Sequence, residues 1–231
     1  SGSGYGVRAL DRSSKITFSV NLSHTGATTL TAATFPTSSG SCGTVGQVCV
    51  KYINPAMQIS GGIGNTAVTN NGVLVFANAT AQSIDAVMSG SGVVINNASG
   101  NVTLSASNTF SGNIYLQAGK MIAGNNAAFG TAPVYQVSGL ASTVDLNGKT
   151  IYNNFYLLGN GLASAGAMIN GDSSNAATLN GTVTLYASSS IGGAGNLTLS
   201  GIISGSAFAL TKVGLGSVTI SAAKTYNVGT A

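Results

Sequence analysis

Gly100–Asn113, GNVTLSASNTFSGN, and Gly216–Gly229, GSVTISAAKTYNVG, carry one pattern twice. Val102-Thr103-Leu104-Ser105 matches Val218-Thr219-Ile220-Ser221, and Thr109-Phe110 matches Thr225-Tyr226. The closing glycines, Gly112 and Gly229, fall one place out of register. Upstream, Val87-Met88-Ser89-Gly90 matches Ile202-Ile203-Ser204-Gly205, and Gly195-Asn196-Leu197-Thr198-Leu199-Ser200-Gly201 is a partial third echo. Two matched blocks in the same order identify internal repeats. Each is a short β-prone run closed by Gly, Asn or Ser.

The same grammar runs outward from these blocks. Further strands are expected at Val73–Phe76, Ser83–Met88, Val93–Ile95, Asn113–Leu116, Met121–Ala123, Tyr135–Val137 and Thr143–Leu146. Others follow at Phe155–Leu158, Ala167–Asn170, Thr182–Tyr186, Leu197–Ser200 and Ala209–Thr211. Successive strands begin about 8–12 residues apart, a spacing that suits a sandwich, a barrel or a solenoid. Composition decides for the solenoid. The 231 residues include 33 Gly and no Trp, and only 5% are charged, with 8 Lys or Arg against 4 acidic residues, all Asp. Small aliphatics fill the narrow interior of a parallel β-helix, while Gly and Asn suit its corners. Stacked Asn, Ser and Thr share hydrogen bonds along the axis, so the surface does without charge. A helical bundle lacks its charged helix formers here, and 44% apolar content excludes charge-driven disorder.

These motifs carry a family resemblance. Ser89-Gly90-Ser91-Gly92, Gly100 to Ser105, Asn108-Thr109-Phe110-Ser111-Gly112 and Gly119-Lys120-Met121 together resemble the passenger-associated transport repeat of bacterial autotransporters. Phe110 stands for the usual Tyr, Ala106 for the Gly after Ser, and Lys120-Met121 for Thr-Leu. The second copy departs further, with Lys224 for Asn and Asn227-Val228 before Gly229. The resemblance covers about two thirds of the chain. It implies an all-β, right-handed parallel β-helix at 70–231, extracellular or exposed on the surface of a Gram-negative bacterium, with adhesive or structural function.

Residues 1–69 lack the motif. The alternation in Lys15–Leu22, KITFSVNL, predicts strands, and the region is expected to form a small β cap or appendage around Cys42 and Cys49. In an exported protein those two cysteines read as a disulfide, worth about 2.5 kcal/mol on the chain-entropy argument. Two free thiols, or half of a metal site, are the alternatives. The sequence stops inside a repeat, so copies are expected either to stack or donate strands head-to-tail into a filament or biofilm fibre, or to belong to a longer passenger.

Chemistry-bearing residues are few. His24, the single histidine, could form a nucleophilic triad only with Asp11 and a serine, and no nucleophile elbow accompanies it; Ser41 lies near Gly40 and Gly43 at the wrong spacing. Asp85, Asp145 and Asp172 would need stacking to supply the two carboxylates of a glycoside-cleaving enzyme. The expectation is therefore no catalytic residue, no cofactor and no metal site. Arg8, Arg12 and Lys15 are too sparse for a nucleic-acid interface, and no apolar run reaches the roughly 20 residues of a membrane helix. Tyr152, Phe155 and Tyr156, the densest aromatic cluster, read either as packing and stacked ladder or as a carbohydrate-stacking surface. A host or cell-surface ligand, or further copies of the chain, are the expected partners.

Overall fold

The computed structural model describes residues 67–137, 141–205, 207–221 and 225, together with the backbone of four earlier strands, Arg8–Ala9, Lys15–Phe18, Thr28–Leu30 and Ala56–Ile59. The chain is an all-β solenoid of about 7 turns built from parallel stacked strands. Three faces recur in each turn. The first face is a continuous column of rungs: Leu74 pairs with Val94, Val94 with Ile114, Ile114 with Val134, Val134 with Phe155, Phe155 with Val183, and Val183 with Ile203. All seven side chains point inward and are buried. Fully burying one such side chain contributes about 1.5–3 kcal/mol, so a single column supplies a large share of the cohesion between turns.

The second face stacks Gln82–Ile84, the end of Val93–Leu104, the end of Ile114–Ala123, Ser142–Asp145, Met168–Asn170, the end of Val183–Gly193 and Leu210–Val213 in the same parallel sense. Strands expected to be separate are joined across the corner between these two faces. Val93–Leu104 is one strand of 12 residues, and Ile114–Ala123 is one of 10. Register shifts between Leu116 and Ala118, and again between Ala118 and Lys120, let the chain bend there while it keeps pairing.

The third face consists of two short sheets. One stacks Arg8–Ala9, Thr28–Leu30, Val68–Asn70 and Met88–Ser89; the other stacks Thr150–Ile151, Ala177–Leu179, Leu197–Leu199 and Val218–Ile220. Backbone hydrogen bonds span the gap, from Thr109 N–H to Met88 O at 2.9 Å and Ser111 N–H to Gly90 O at 2.9 Å, then from Asn108 N–H to Ala127 O at 3.1 Å and Thr131 N–H to Phe110 O at 3.0 Å. Asparagine side chains supply the rest. Asn108 accepts from Met88 N–H at 2.8 Å and donates to Ala128 O at 2.7 Å. Asn153 donates to the carbonyls of Phe129, Gly130 and Ala132, each within 3.1 Å.

A glycine column, Gly72, Gly92 and Gly112, lets one corner approach. A Cβ on Gly112 would lie 2.0 Å from Gly92 O, and one on Gly92 would lie 2.4 Å from Gly72 O. The requirement there is space between turns, not left-handed backbone.

The sequence repeats do not occupy equivalent places. Met88-Ser89 lies on the third face, whereas the matching Ile203-Ser204 lies on the first. Val102–Leu104 lies on the second face and its counterpart Val218–Ile220 on the third. Every face demands the same inward aliphatics and the same polar corner, so one block can serve any face. The partial echo Leu197-Thr198-Leu199, by contrast, is the direct rung neighbour of Val218-Thr219-Ile220.

In the N-terminal region, Lys15–Phe18 is a strand, paired through Ala56–Ile59 to Val73–Phe76. The boundary expected between 69 and 70 passes through the strand Val68–Asn70, and parallel pairing continues across it. Cys42 and Cys49, with the loop between them, lie outside the described residues.

Candidate functional site, an outward tyrosine ladder

Alternation along the first face sends every second side chain outward. Tyr115 sits between inward Ile114 and Leu116, Tyr135 between Val134 and Gln136, and Tyr156 between Phe155 and Leu157. Register makes Tyr115 the direct partner of Tyr135, and Tyr135 that of Tyr156. Their rings stack at centroid separations of 5.3 Å and 4.3 Å, with planes 26° and 6° from parallel. Tyr186 continues the column at 5.3 Å, but its ring is tilted by 43°. The tilt has a cause in the register: Tyr156 lies opposite Thr184, so Tyr186 reaches the column from two residues further along.

At its N-terminal side the ladder meets an apolar group on the same outward face. Val73, Val75 and Ile95 are buried, with Val93 and Tyr115 packed against them. The described members of this stripe, Val73, Val75, Val93, Ile95 and the four tyrosines, carry no formal charge. Crowding of phenols changes their acidity. Burial, then the charge Tyr156 would carry and its hydrogen bond, push Tyr135 up to about 12. Burial and Tyr156 also raise Tyr186. Asn113 Nδ2 donates to the Tyr115 hydroxyl at 3.2 Å. The result is a row of neutral, half-buried rings whose flat faces are spent on each other and whose edges and hydroxyls line the surface.

The aromatic cluster seen in sequence separates into three environments. Phe155 is in the core, edge-on to Phe129 at 6.0 Å and 83°. Tyr156 is in the ladder, and Tyr152 stands apart at 70% exposure. Sequence reading missed the other three ladder members because unequal turn lengths hide their period. A local signal exists: Ile114-Tyr115-Leu116, Val134-Tyr135-Gln136, Phe155-Tyr156-Leu157 and Leu185-Tyr186-Ala187 each set tyrosine behind a large apolar residue.

The repeat-motif residues are architectural. Val102, Leu104 and Phe110 are fully buried. Gly100, Gly112 and Gly216 sit where a Cβ would strike the backbone of the preceding turn, at Thr80, Gly92 and Gly195. Val218 and Ile220 pack partly buried against the core. Ser105 accepts from or donates to Ser83, Thr109 bonds Met88, Ser221 N–H donates to Leu199 O at 3.0 Å and Thr225 N–H to Ile203 O at 2.9 Å. Tyr226, Gly229, His24 and Asp11 lie outside the described residues.

Each of the three described carboxylates is held by partners close by. Asp145 is buried: it pairs with Lys120 Nζ at 3.4 Å and accepts from Asn147 and Gly171 N–H at 3.0 and 2.8 Å. The neighbouring turn closes over it, so it fixes a corner. Asp172 binds Ser174 and Asn175 N–H and the Asn175 amide, which hold its carboxyl below the usual range. Ser83 donates to Asp85 at 2.8 Å. Among the described residues no three His, Cys, Asp or Glu side chains gather as a metal site, and no helix is long and apolar enough to cross a membrane. Comparison with protein-family models, with curated proteins and with solved structures finds no match for this chain.

Proposed function

We propose that the chain is a non-enzymatic structural and adhesive β-solenoid of the autotransporter-passenger kind, exposed at the surface of a Gram-negative bacterium. The observation that carries the reading is the uncharged outward stripe from Val93 through Tyr115, Tyr135 and Tyr156 to Tyr186. A stalk must present a long, regular face while resisting unravelling, and a stripe of edge-exposed phenols offers apolar contact and hydroxyls at every rung. The resemblance of Gly100–Asn113 to passenger repeats supports the export class. Its partner in this reading is a ligand on an opposing surface or a further copy of the chain.

Adhesion of beads coated with the purified chain tests this reading. Retention under flow on glycan- and matrix-coated surfaces is expected to exceed that of uncoated beads. The double substitution Tyr135→Ser with Tyr156→Ser is expected to reduce it several-fold while circular dichroism stays unchanged. Retention that never exceeds the control on any surface, or that is indifferent to the double substitution, overturns the assignment.

A further inference from the structure

The ladder also places two oxidisable rings in fixed register. Tyr135 and Tyr156 are direct strand partners, 4.3 Å apart between centroids and 6° from parallel. Both are partly exposed, and flanking rings stand at 5.3 Å on either side. We propose that this pair is an oxidative modification site, at which a haem peroxidase using hydrogen peroxide joins the two rings through their ortho carbons. The bond would staple two successive turns of the solenoid.

The chemistry balances within the pair and its oxidant. Each phenol gives up one electron and its hydroxyl proton, leaving two phenoxyl radicals with spin shared between the oxygen and the ortho and para carbons. One Cε of Tyr135 bonds to one Cε of Tyr156. The hydrogen on each bonded carbon is lost as a proton while its ring oxygen regains one, which restores both aromatic rings. One hydrogen peroxide takes the two electrons and the two net protons and becomes two waters. The protein loses two hydrogen atoms.

Three features favour coupling within the ladder, and the shortest ring separation, 4.3 Å against 5.3 Å for its neighbours, singles out Tyr135 and Tyr156 inside it. Direct parallel pairing holds the two strands about 4.8 Å apart, so the rings can turn edge to edge without parting the strands. The outer rings are tilted by 26° and 43°, which shows that this column accommodates rings out of the parallel stack, as coupling requires. Continuity of the column lets a radical formed on Tyr115 or Tyr186 pass inward before a second molecule arrives. Tyr152 provides the contrast, being 70% exposed with no ring partner among the described residues. If exposure governed the outcome, oxidation would fall on Tyr152 and link separate molecules.

The test treats dilute, purified chain with a haem peroxidase and limiting hydrogen peroxide, followed by intact-mass measurement, dityrosine fluorescence and peptide mapping. The expected product is a monomer lighter by two hydrogens, with one cross-linked peptide pair holding Tyr135 and Tyr156. Tyr156→Phe keeps the ring stack and is expected to abolish that link; Tyr152→Phe is expected to leave it intact. Cross-links that map to Tyr152, dimers in place of the modified monomer, or no coupling under conditions that couple free tyrosine would each overturn the proposal.

Discussion

At the scale of single residues, two kinds of position carry the structure. The first is the phenol in a row of phenols. Tyr135 ionises only near 12 because burial and its neighbours oppose the charge, whereas an unfolded tyrosine ionises near 10. Its contribution to stability is therefore complete below about pH 10 and is lost as pH rises through about 12, since the unfolded chain releases the proton first. Alkaline titration followed by tyrosinate absorbance should show a late-titrating phenol that disappears in Tyr135→Phe, and that variant should unfold less steeply between pH 10 and 12. The second kind is the corner glycine. Gly112→Ala puts a methyl 2.0 Å from Gly92 O, a backbone atom with nowhere to move. A cost of about 1–3 kcal/mol, the usual range for overpacking, is expected in chemical denaturation. The sequence shows that Gly112 closes the motif; that it does so by proximity to Gly92 is visible only once turns are stacked.

At the scale of elements, strands were the most legible part of the sequence and their joins the least. Val73–Phe76 is a strand at the expected bounds, because four consecutive β-formers between turn residues leave little choice. Val93–Ile95 and Val102–Leu104 belong to one strand instead of two, because pairing with the next turn carries the intervening Asn-Asn-Ala-Ser-Gly-Asn through the corner. Nothing local to that polar segment requires extension. The broken third face makes the same point about asparagine. Asn153 is 6% exposed and its amide serves three carbonyls on the turn below. Asn153→Ala would leave buried acceptors unpaired, at about 1–3 kcal/mol. A drop of that size in unfolding free energy, with little change in Asn126→Ala as an exposed comparison, is the expected outcome.

At the scale of the whole molecule, the scarcity of charge becomes a prediction about salt. The described residues contain one ion pair, Lys120 with Asp145, and its carboxylate is buried. Screening acts on exposed charges, so the melting temperature is expected to stay nearly constant from low to molar sodium chloride; a marked fall would show that electrostatics hold the turns together. Cohesion comes instead from columns such as Leu74 to Ile203 and from ladder hydrogen bonds. The sequence by itself determined the class of fold, since short β-runs, polar corners, small aliphatics and missing charges agree only in a solenoid. Tertiary structure alone decided which face each strand joins, because every face accepts the same block. It alone also assembled the tyrosine ladder: turns of unequal length put Tyr115, Tyr135, Tyr156 and Tyr186 at irregular intervals in the chain, and only rung pairing brings them into one column.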